Sequence, residues 1–293
     1  MVKYSIVIPL YNKEDSIQRA VDSVFGTGYA DLEIIVVDDG STDNSAARLT
    51  TYTDPRLKYL FQSNSGVSAA RNRGILEAQG EWILLLDADD EIMPEAMATY
   101  DAMTDKFPHA EVLVQRIAYA NQPDKGLLTR LARHIRPVFQ TRSPFFAIWA
   151  NLCYPRPDNF CFKKKLCLHS GLFDERMAFW EDFDFTRRIV RQRTMAVSTA
   201  TGAKYIQATA GLSRTPHPAE REMAHYIPEI INRERTSFWE RALLYDIVGH
   251  HVAWWEGHGE RANHYRSIQK NHFPWYLKRL SWLRHQLSRH GII

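Results

Sequence analysis

The sequence predicts an α/β fold, in which a mostly parallel central sheet is flanked by helices and followed by a helical C-terminal extension. Over the first 120 residues, apolar runs rich in β-branched residues alternate with segments of helical spacing. Such alternation is typical of strand–helix–strand units and therefore of parallel strands. The strand segments are continuous apolar runs, which indicates that both faces of the sheet are covered.

The predicted elements follow one another closely, and polar residues cluster where strands end. Strands are predicted at residues 4–10, 32–38, 57–62, 81–87 and 112–118. Helices are predicted at residues 13–25, 42–53, 66–79 and 94–107. Because ligands of parallel sheets gather at the carboxyl ends of the strands, the polar residues after the first, second and fourth strands form the candidate site.

The pattern loosens after residue 120. A loop or short-helix region is predicted for residues 121–157. Strands are then predicted at residues 159–165, 194–199 and 203–209, a helix at residues 182–193, and helices from residue 218 onward. We therefore divide the chain into an α/β domain over residues 1–215 and a helical region over residues 216–293.

Composition is that of an ordered globular protein, since 45% of the 293 residues are hydrophobic and 24% are charged. No apolar run approaches the roughly 18 residues that a membrane span needs, and the first ten residues lack the cleavage site of a signal peptide. The three cysteines, Cys153, Cys161 and Cys167, contain no CxxC pair, which argues against a disulfide framework and a thiolate zinc site. A cytoplasmic location is the expectation.

The net charge of +3 hides an asymmetry between the two parts of the chain. Residues 1–120 carry 10 basic and 19 acidic residues, whereas the remainder carries 27 basic and 15 acidic residues. An acidic front half is suited to binding a cation. A basic rear half is suited to an anionic partner such as a phosphate group, a membrane or a nucleic acid.

Two acidic segments at strand ends are candidate ligand sites. Asp38 and Asp39 end the second strand, and a carboxylate there can accept from a nucleobase or a ribose hydroxyl; the structural alternative is a tight turn with a helix cap. The segment from Asp87 to Glu91 holds four carboxylates in five residues, whose repulsion a hard cation such as Mg²⁺ or Mn²⁺ relieves. Its structural alternative is a solvated acidic loop before a helix N-terminus.

Three further segments carry side chains suited to catalysis or anion binding. Arg71 either reaches a phosphate or carboxylate, or is a surface arginine of a helix. Asp182 follows Glu181 among aromatic residues and is either a general base, whose pKa aromatic cover raises, or a helix cap. Arg214 and His217 either bind an anion or a metal, or are ordinary loop residues.

In this order, the motifs resemble those of the family 2 glycosyltransferases, which are inverting, nucleotide-sugar-dependent enzymes with the Rossmann-like GT-A fold. The resemblance is carried by residues 4–12, 38–43, 66–74, 86–90 and 180–182. It is close over about the first 95 residues and moderate over residues 158–190. Residues 213–217 depart from the pattern and do not align firmly.

The resemblance implies a nucleotide site and a metal site. In the nucleotide site, Tyr11 stacks on the nucleobase, Asp39 accepts a hydrogen bond from it, and Asp87 faces the ribose. Asp87 and Asp89 form a DxD motif, with Asp89 on the metal. The full set of implied nucleotide-binding residues is Pro9, Tyr11, Asp39, Arg71 and Asp87.

The resemblance also implies an acceptor site and a closing loop. Asp182 is the general base, and Glu181 lies beside it in the acceptor site. In related enzymes a basic or histidine-bearing loop late in the domain closes over the diphosphate. Arg214 is the candidate diphosphate ligand of that loop, and His217 is a candidate metal ligand.

The implied reaction moves a sugar from a nucleotide sugar, with UDP as the favoured nucleotide, to a hydroxyl of a glycan or lipid-linked acceptor. The implied role is in cell-surface polysaccharide synthesis. The implied cofactor, Mn²⁺ or Mg²⁺, neutralises charge that develops on the leaving diphosphate. Asp182 takes the proton of the acceptor hydroxyl. Attack opposite the leaving group inverts the anomeric centre.

The C-terminal segment is basic and aromatic. Residues 261–293 contain seven lysines and arginines and no acidic residue, and Trp275, Tyr276 and Trp282 lie among them. A basic amphipathic helix with aromatic residues is typical of peripheral contact with an anionic membrane, here the inner face of the cell membrane. The alternative is a helix that covers the catalytic domain and exposes a solvated basic face.

Three other functions are weighed against glycosyl transfer. A nucleic-acid-binding protein would account for the basic rear half but not for the ordered acidic motifs, so no nucleic-acid partner is expected. A nucleotidyltransferase of similar architecture generally has a basic, glycine-rich loop after the first strand, where this chain has Tyr-Asn-Lys-Glu-Asp at residues 11–15. A degenerate family member that only binds is disfavoured by the intact acidic motifs.

Overall fold

The computed structural model describes residues 2–119, 138–150, 153, 155–206, 218–256 and 259–289. The strands in these ranges are β1 (Tyr4–Leu10), β2 (Leu32–Asp38), β3 (Leu57–Phe61), β4 (Trp82–Leu85), β5 (Glu91–Ile92), β6 (Val112–Tyr119), β7 (Val138–Thr141), β8 (Phe160–Lys163) and β9 (Met195–Tyr205). The helices before residue 200 are α1 (Ile17–Phe25), α2 (Ser45–Leu49), α3 (Val67–Glu77), α4 (Ala96–Lys106), α5 (Pro144–Trp149), α6 (Lys165–Ser170) and α7 (Glu181–Val190). The C-terminal helices are α8 (Met223–Arg233), α9 (Phe238–Trp254), α10 (Gly259–His272) and α11 (Trp275–Arg289).

The strands form one sheet, in the order β3-β2-β1-β4-β8-β6-β9-β5, and β7 pairs with β9. The strands that carry the sequence motifs, β3, β2, β1 and β4, form a continuous parallel block. Beyond them, β8 is antiparallel to both β4 and β6, while β6 and β9 are parallel. The predicted α/β class, with a central sheet and C-terminal helices, is confirmed.

The carboxyl ends of β1, β2 and β4 meet at one edge of the sheet. Leu10 at the end of β1 lies opposite Asp38 at the end of β2. The chain leaves β1 in one direction for β2 and later returns to its other side as β4, so this edge is a topological switch point, where open α/β sheets bind ligands. All seven residues of β1 and all seven of β2 are buried, which confirms the cover predicted for both faces.

Helix α3 packs closely on β1 because it carries a glycine at the contact. A Cβ atom at Gly74 would lie 2.2 Å from Cγ1 of Val7, far inside van der Waals contact. The small side chain at this position is what allows the helix to pack so closely on the sheet. The packing also fixes the position of Arg71 relative to the sheet, since Arg71 lies about one turn earlier in the same helix.

The prediction and the structure differ in three parts of the chain. Over the described residues, the strands predicted at residues 194–199 and 203–209 are joined in one strand, β9, and residues 207–209 lie outside the described residues. Within β9, Gly202 has no room for a Cβ atom, which would lie 2.7 Å from Cβ of Gln115. In the region predicted as loop or short helix at residues 121–157, α5 is the short helix, whereas the strand β7 was not predicted because it is short and has little periodicity. Residues 121–137, 151, 152 and 154 of this region lie outside the described residues. The helix predicted at residues 42–53 is only the short α2, since side chains of the β1–α1 loop hold its first residues in a turn.

The C-terminal helices pack on the sheet domain through one continuous hydrophobic cluster. This cluster extends from Val7 in β1 to Val248 in α9 and Leu277 in α11. A buried ion-pair network adds to the contact, because Arg187 of α7 donates to Glu234 and to Glu240 of α9 at 2.7 and 2.8 Å. No helix in the described ranges is long and apolar enough to cross a membrane. The domain boundary at residue 215 stays a prediction.

Candidate active site

The two carboxylates after β2 have different tasks. Asp38 shapes the turn, since its Oδ1 accepts from the Ser41 amide at 2.8 Å and its Oδ2 accepts from the Tyr59 hydroxyl at 2.7 Å. Asp39 is only 3% exposed and joins β2 to the start of α3. It accepts three hydrogen bonds of 2.8 Å, from the Gln62 side chain and from the amides of Ser65 and Gly66. A carboxylate has about four acceptor positions, so about one remains for a ligand N–H.

An exposed aromatic ring stands next to this carboxylate pair. Tyr11 follows directly on β1 and is 40% exposed, while Pro9 lies buried within the strand. The Asp39 amide donates to the Leu10 carbonyl at 2.8 Å, which brings the ends of β1 and β2 together. A half-exposed ring and a buried acceptor at the same end of the sheet have the makeup of a nucleobase site, with a face for stacking and an edge for hydrogen bonding.

Arg71 connects two acidic segments that are far apart in the sequence. Its Nη2 donates to Oδ1 of Asp87 at 2.8 Å, and its Nη1 donates to Oε1 of Glu181 at 3.0 Å. The guanidinium is also 5.3 Å from the ring centroid of Phe173. Burial opposes the charge of Arg71, but Asp87 and Glu181 outweigh burial and raise its pKa above the ordinary value. The alternative of a surface arginine is wrong, since Arg71 is 4% exposed.

The acidic residues after β4 do not all point to one place. Asp87 meets Arg71, whereas Asp89 meets Lys13, whose Nζ lies 2.6 Å from Oδ2. Asp90 is fully buried, and its Oδ1 accepts from the Ile206 amide at 2.7 Å. The two aspartates of the predicted DxD motif therefore have different partners, Asp87 with Arg71 of α3 and Asp89 with Lys13 of the β1–α1 loop.

A third carboxylate, Asp158, joins Asp87 and Asp90. Ligand atoms of these three residues lie within 4.8 Å of one another, and Asp158 accepts from the Asp87 amide at 2.9 Å. Burial and the neighbouring Asp158 raise the pKa of Asp90, and burial and Asp87 raise that of Asp158. Oδ2 of Asp90 is buried and has no hydrogen-bond donor among the described residues. Such a cluster needs a proton or a cation, and its all-oxygen donor set fits Mg²⁺ or Mn²⁺.

Sequence reasoning missed Asp158 because it is a single acid between Pro157 and Asn159, without an acidic motif around it. It occupies a one-turn 3₁₀ helix directly before β8. Only the pairing of β8 with β4 brings it to the acidic residues that follow β4. A search for carboxylates at the ends of both neighbouring strands would have found it.

The candidate general base stands at the first turn of α7. Asp182 and Glu181 are both partly buried, and Oδ1 of Asp182 accepts from the Phe183 amide at 2.8 Å. Burial and the neighbouring Asp182 raise the pKa of Glu181, against the effect of Arg71. The alternative that Asp182 caps the helix is wrong, because the cap position belongs to Trp180, in a left-handed conformation at φ 65°.

A second arginine, which the sequence analysis did not single out, lies near the candidate base. The guanidinium of Arg156 is 4.7 Å from the ring centroid of Tyr205 and donates to the Tyr119 hydroxyl at 3.3 Å. Burial opposes its charge, but Tyr119, Asp182 and Asp158 raise its pKa. Arg71 and Arg156 thus offset part of the negative charge of this site. Arg214 and His217 lie outside the described residues.

These features define a class of protein: an α/β protein with a candidate nucleotide edge, which is formed by the carboxyl ends of β1, β2 and β4, a carboxylate cluster suited to a divalent cation and a helix-borne candidate base. A family model for glycosyl transferase family 2 matches residues 5–168, and the chain belongs to that family. Among curated relatives, the chain is similar to the glycosyltransferase YibD of Escherichia coli K12, with 42% identity over 103 residues that cover 34% of this chain and 30% of YibD.

A second relative is the succinoglycan biosynthesis protein ExoO of Rhizobium meliloti, with 29% identity over 188 residues that cover 61% of this chain and 53% of ExoO. The chain thus spans about half or less of the length of these relatives. Among solved structures, it resembles residues 1–349 of Staphylococcus aureus TarS in complex with UDP-GlcNAc, with a TM-score of 0.77, 19% identity and coverage of 99% of this chain and 88% of that TarS fragment. The predicted GT-A fold is confirmed by this likeness.

Proposed function

We propose that this protein transfers a sugar from a UDP-sugar to a hydroxyl group of a glycan or lipid-linked acceptor, with inversion at the anomeric carbon. The observation that carries the proposal is the bridge formed by Arg71 between Asp87 and Glu181. It joins the sheet edge suited to a nucleotide to the helix that bears the candidate base. Membership of glycosyl transferase family 2 supports glycosyl transfer over nucleotidyl transfer. The UDP-GlcNAc bound to TarS supports UDP as the nucleotide.

The donor nucleotide is assigned to the edge formed by β1, β2 and β4. Tyr11 offers its exposed ring to the base, and Asp39 retains about one acceptor position for a base N–H. Asp87 is partly exposed and offers its second oxygen to the ribose. The base of this site is formed by two buried residues, Pro9 in β1 and Arg71 in α3.

Asp87, Asp90 and Asp158 would hold the divalent cation, Mg²⁺ or Mn²⁺. When bound, the cation neutralises charge on the diphosphate leaving group. Asp89 is the ligand predicted from the sequence, and its contact with Lys13 makes it the alternative assignment. Arg214 is assigned to bind the diphosphate and His217 to bind the cation, with residues 213–217 closing over both.

Asp182 is assigned the proton transfer. The oxygen of the acceptor hydroxyl forms a bond to the anomeric carbon while the bond from that carbon to the diphosphate breaks on the opposite side. Asp182 takes the hydroxyl proton, and the diphosphate leaves with the electron pair. Glu181, oriented by Arg71, is placed to hold the acceptor. A positioned base of this kind contributes about 10²–10⁴-fold to the rate.

The acceptor is assigned to cell-surface polysaccharide synthesis, which the name of the succinoglycan relative ExoO supports. We place the enzyme in the cytoplasm, peripheral on the inner face of the membrane. One face of α11 supports this location, since Trp275, Tyr276 and Leu283 are 70%, 44% and 44% exposed. Arg279 lies on the same face, 5.0 Å from the ring centroid of Trp275. Exposed aromatic and basic side chains on one helix face suit an anionic interface.

The nucleotide assignment is tested by thermal denaturation with UDP, GDP, ADP and CDP, each with and without Mn²⁺. We expect UDP with Mn²⁺ to raise the melting temperature most, and Tyr11→Ala to remove most of that rise because the stacking face is lost. Phe61→Ala, which removes another exposed ring of the same domain, serves as the control. Equal stabilisation by all four nucleotides would contradict a uracil site.

A further inference from the structure

A cleft of about 450 Å³ lies among the C-terminal helices α9, α10 and α11. One wall is formed by α9, with Tyr245 and His250, and the opposite wall by α11. Four residues of α11 line it in one stripe, at the spacing i, i+4, i+7 and i+11 that places side chains on a single helix face. They are Lys278, Trp282, His285 and Arg289, and all four are exposed.

The charge available in this cleft is positive. Its one acidic residue, Asp246, is 5% exposed, and its Oδ2 is paired with Arg284 at 2.7 Å. Among the described residues, Lys278 and Arg289 have no carboxylate partner. A ligand that enters the cleft therefore meets two basic side chains whose charge is not neutralised, and an anionic ligand is favoured.

The same cleft has groups that suit a sugar ring. Trp282 is 64% exposed and offers a flat apolar face at the mouth. An exposed ring and nearby basic groups together match a sugar that carries a negative charge.

The cleft is connected to the candidate base by one aromatic contact. His250, which lines the cleft, lies against Trp180, with ring centroids 5.7 Å apart. Trp180 directly precedes Glu181 and Asp182 at the start of α7. This contact places the cleft next to the segment that carries the candidate base.

We infer that this cleft is a subsite for an acidic acceptor glycan, in which Trp282 stacks on a sugar unit and Lys278 and Arg289 bind its carboxylate or phosphodiester groups. The inference rests on the proposed glycosyl transfer. It deepens that proposal by assigning a charge to the acceptor and a second place where the enzyme holds it. None of Trp275, Tyr276, Arg279 and Leu283, the outward residues of α11, lines the cleft, although Trp275 lies two turns before Trp282 on the same side of the helix.

The test is calorimetric titration of the full chain, without donor, at low salt. The probes are a galacturonate hexamer for carboxylates, a glycerol phosphate hexamer for phosphodiesters and maltohexaose as the neutral match. We expect one acidic probe or both to bind and maltohexaose to bind at least about tenfold more weakly, a difference of about 1.4 kcal/mol. The acidic probe that binds more tightly identifies the charged group. Equal binding of all three, or of none, would overturn the inference.

Matched variants on the same helix locate the binding. We expect Trp282→Ala and Lys278→Glu each to weaken binding of the acidic probe about tenfold, a loss of about 1.4 kcal/mol, whereas Trp275→Ala and Arg279→Glu change it less than about twofold. Melting temperatures confirm that the exposed substitutions leave the fold intact. Equal losses in both pairs would show non-specific attraction and overturn the inference. Loss of binding to anionic vesicles in Trp282→Ala, with glycan binding unchanged, would assign the stripe to the membrane instead.

Because no donor is present, this result is independent of turnover. An enzyme that releases UDP from a UDP-sugar but binds no acidic glycan would refute the subsite and leave the proposed function standing. Glycan binding by a chain that uses no nucleotide sugar would refute the proposed function alone.

Discussion

Arg71 and Glu181 are 110 residues apart in the chain, and Nη1 of the arginine donates to Oε1 of the glutamate at 3.0 Å. The other terminal nitrogen of Arg71 holds Asp87. One buried side chain therefore orients a carboxylate at the nucleotide edge and a carboxylate beside the candidate base. The donor side and the acceptor side of the proposed reaction therefore share one positioning residue, Arg71.

Replacement of Arg71 by lysine tests this bridge. A lysine has a single ammonium group and cannot hold two carboxylates in the fixed fork of a guanidinium. We expect Arg71→Lys to lower turnover by about 10-fold to 100-fold, because the two carboxylates are less well oriented. This corresponds to a rise of about 1.4–2.8 kcal/mol in the activation free energy. Arg73→Lys, two residues along the same helix and bonded to the Phe61 carbonyl, should stay near wild type. Equal turnover of the two variants, measured as UDP release, would mean that the bridge has no role in the reaction.

The metal ligands are tested by titrating UDP into the protein with and without Mn²⁺. Asp158→Asn keeps the shape of the side chain and removes one of three clustered carboxylates. We expect wild type to bind UDP more tightly with Mn²⁺ and Asp158→Asn to lose most of that gain. If Asp89→Ala loses the gain while Asp158→Asn keeps it, the cation lies at Asp89, as the sequence resemblance implies.

The stability of the C-terminal helices is predicted to depend on pH through His251. Burial lowers the pKa of this fully buried histidine to about 4, although Oε2 of Glu222 lies 3.8 Å from its Nε2. In the unfolded chain its pKa is about 6.5. Between the two values the unfolded state binds more protons, so the free energy of unfolding falls as pH drops from about 6.5 to 4 and levels off below. Other titratable groups around it are His250, Tyr265 and Arg261.

The size of this effect is roughly 3 kcal/mol across the window if His251 alone is responsible. Chemical denaturation at several pH values measures it. His251→Gln should flatten the dependence, while His109→Gln, an exposed histidine before β6, should leave it unchanged. A wild-type slope that persists in His251→Gln would assign the dependence to other groups.

Contact with the membrane is predicted for the outward face of α11. Each basic residue near an anionic surface is worth about 1 kcal/mol, and the attraction is screened over roughly 8 Å at physiological salt. We expect sedimentation with anionic but not neutral vesicles, weaker in high salt, and reduced by Trp275→Ala and Arg279→Glu. Arg48→Glu in α2 makes the same change of charge elsewhere on the surface. An equal reduction by Arg48→Glu would mean that overall charge, and not this face, attracts the protein.

The repeating half of the fold was predictable because its signals are local. Strands β1 and β2 have the predicted bounds, since each is a run of apolar residues that ends at a polar turn. In contrast, the antiparallel pairing of β8 with β4, which positions Asp158, is not encoded by a local pattern, although the strand itself was predicted. The same holds for Gly202, which lies within β9 at a point where Gln115 of the neighbouring strand leaves no room for a Cβ atom.

The candidate site was predicted as a set of residue types, and the structure shows how they are oriented. The acidic run after β4 suggested one cation site, yet Lys13 holds Asp89 apart from Asp87. A sequence gives no direction for each side chain of a short loop. Arg71 is the opposite case, since the small residues around it let the helix approach the sheet and leave its guanidinium in the site.

Release of UDP from a panel of UDP-sugars, in the presence of Mn²⁺, tests the central claim most directly. We predict that at least one UDP-sugar is turned over, and that the matching GDP- and ADP-sugars are not. Asp182→Asn should lower this turnover about 10²-fold or more with UDP affinity nearly unchanged, because the proton acceptor is lost and the nucleotide edge is intact. Asp15→Asn, at an exposed carboxylate, should behave as wild type. No turnover of any UDP-sugar, or full turnover by Asp182→Asn, would contradict the account.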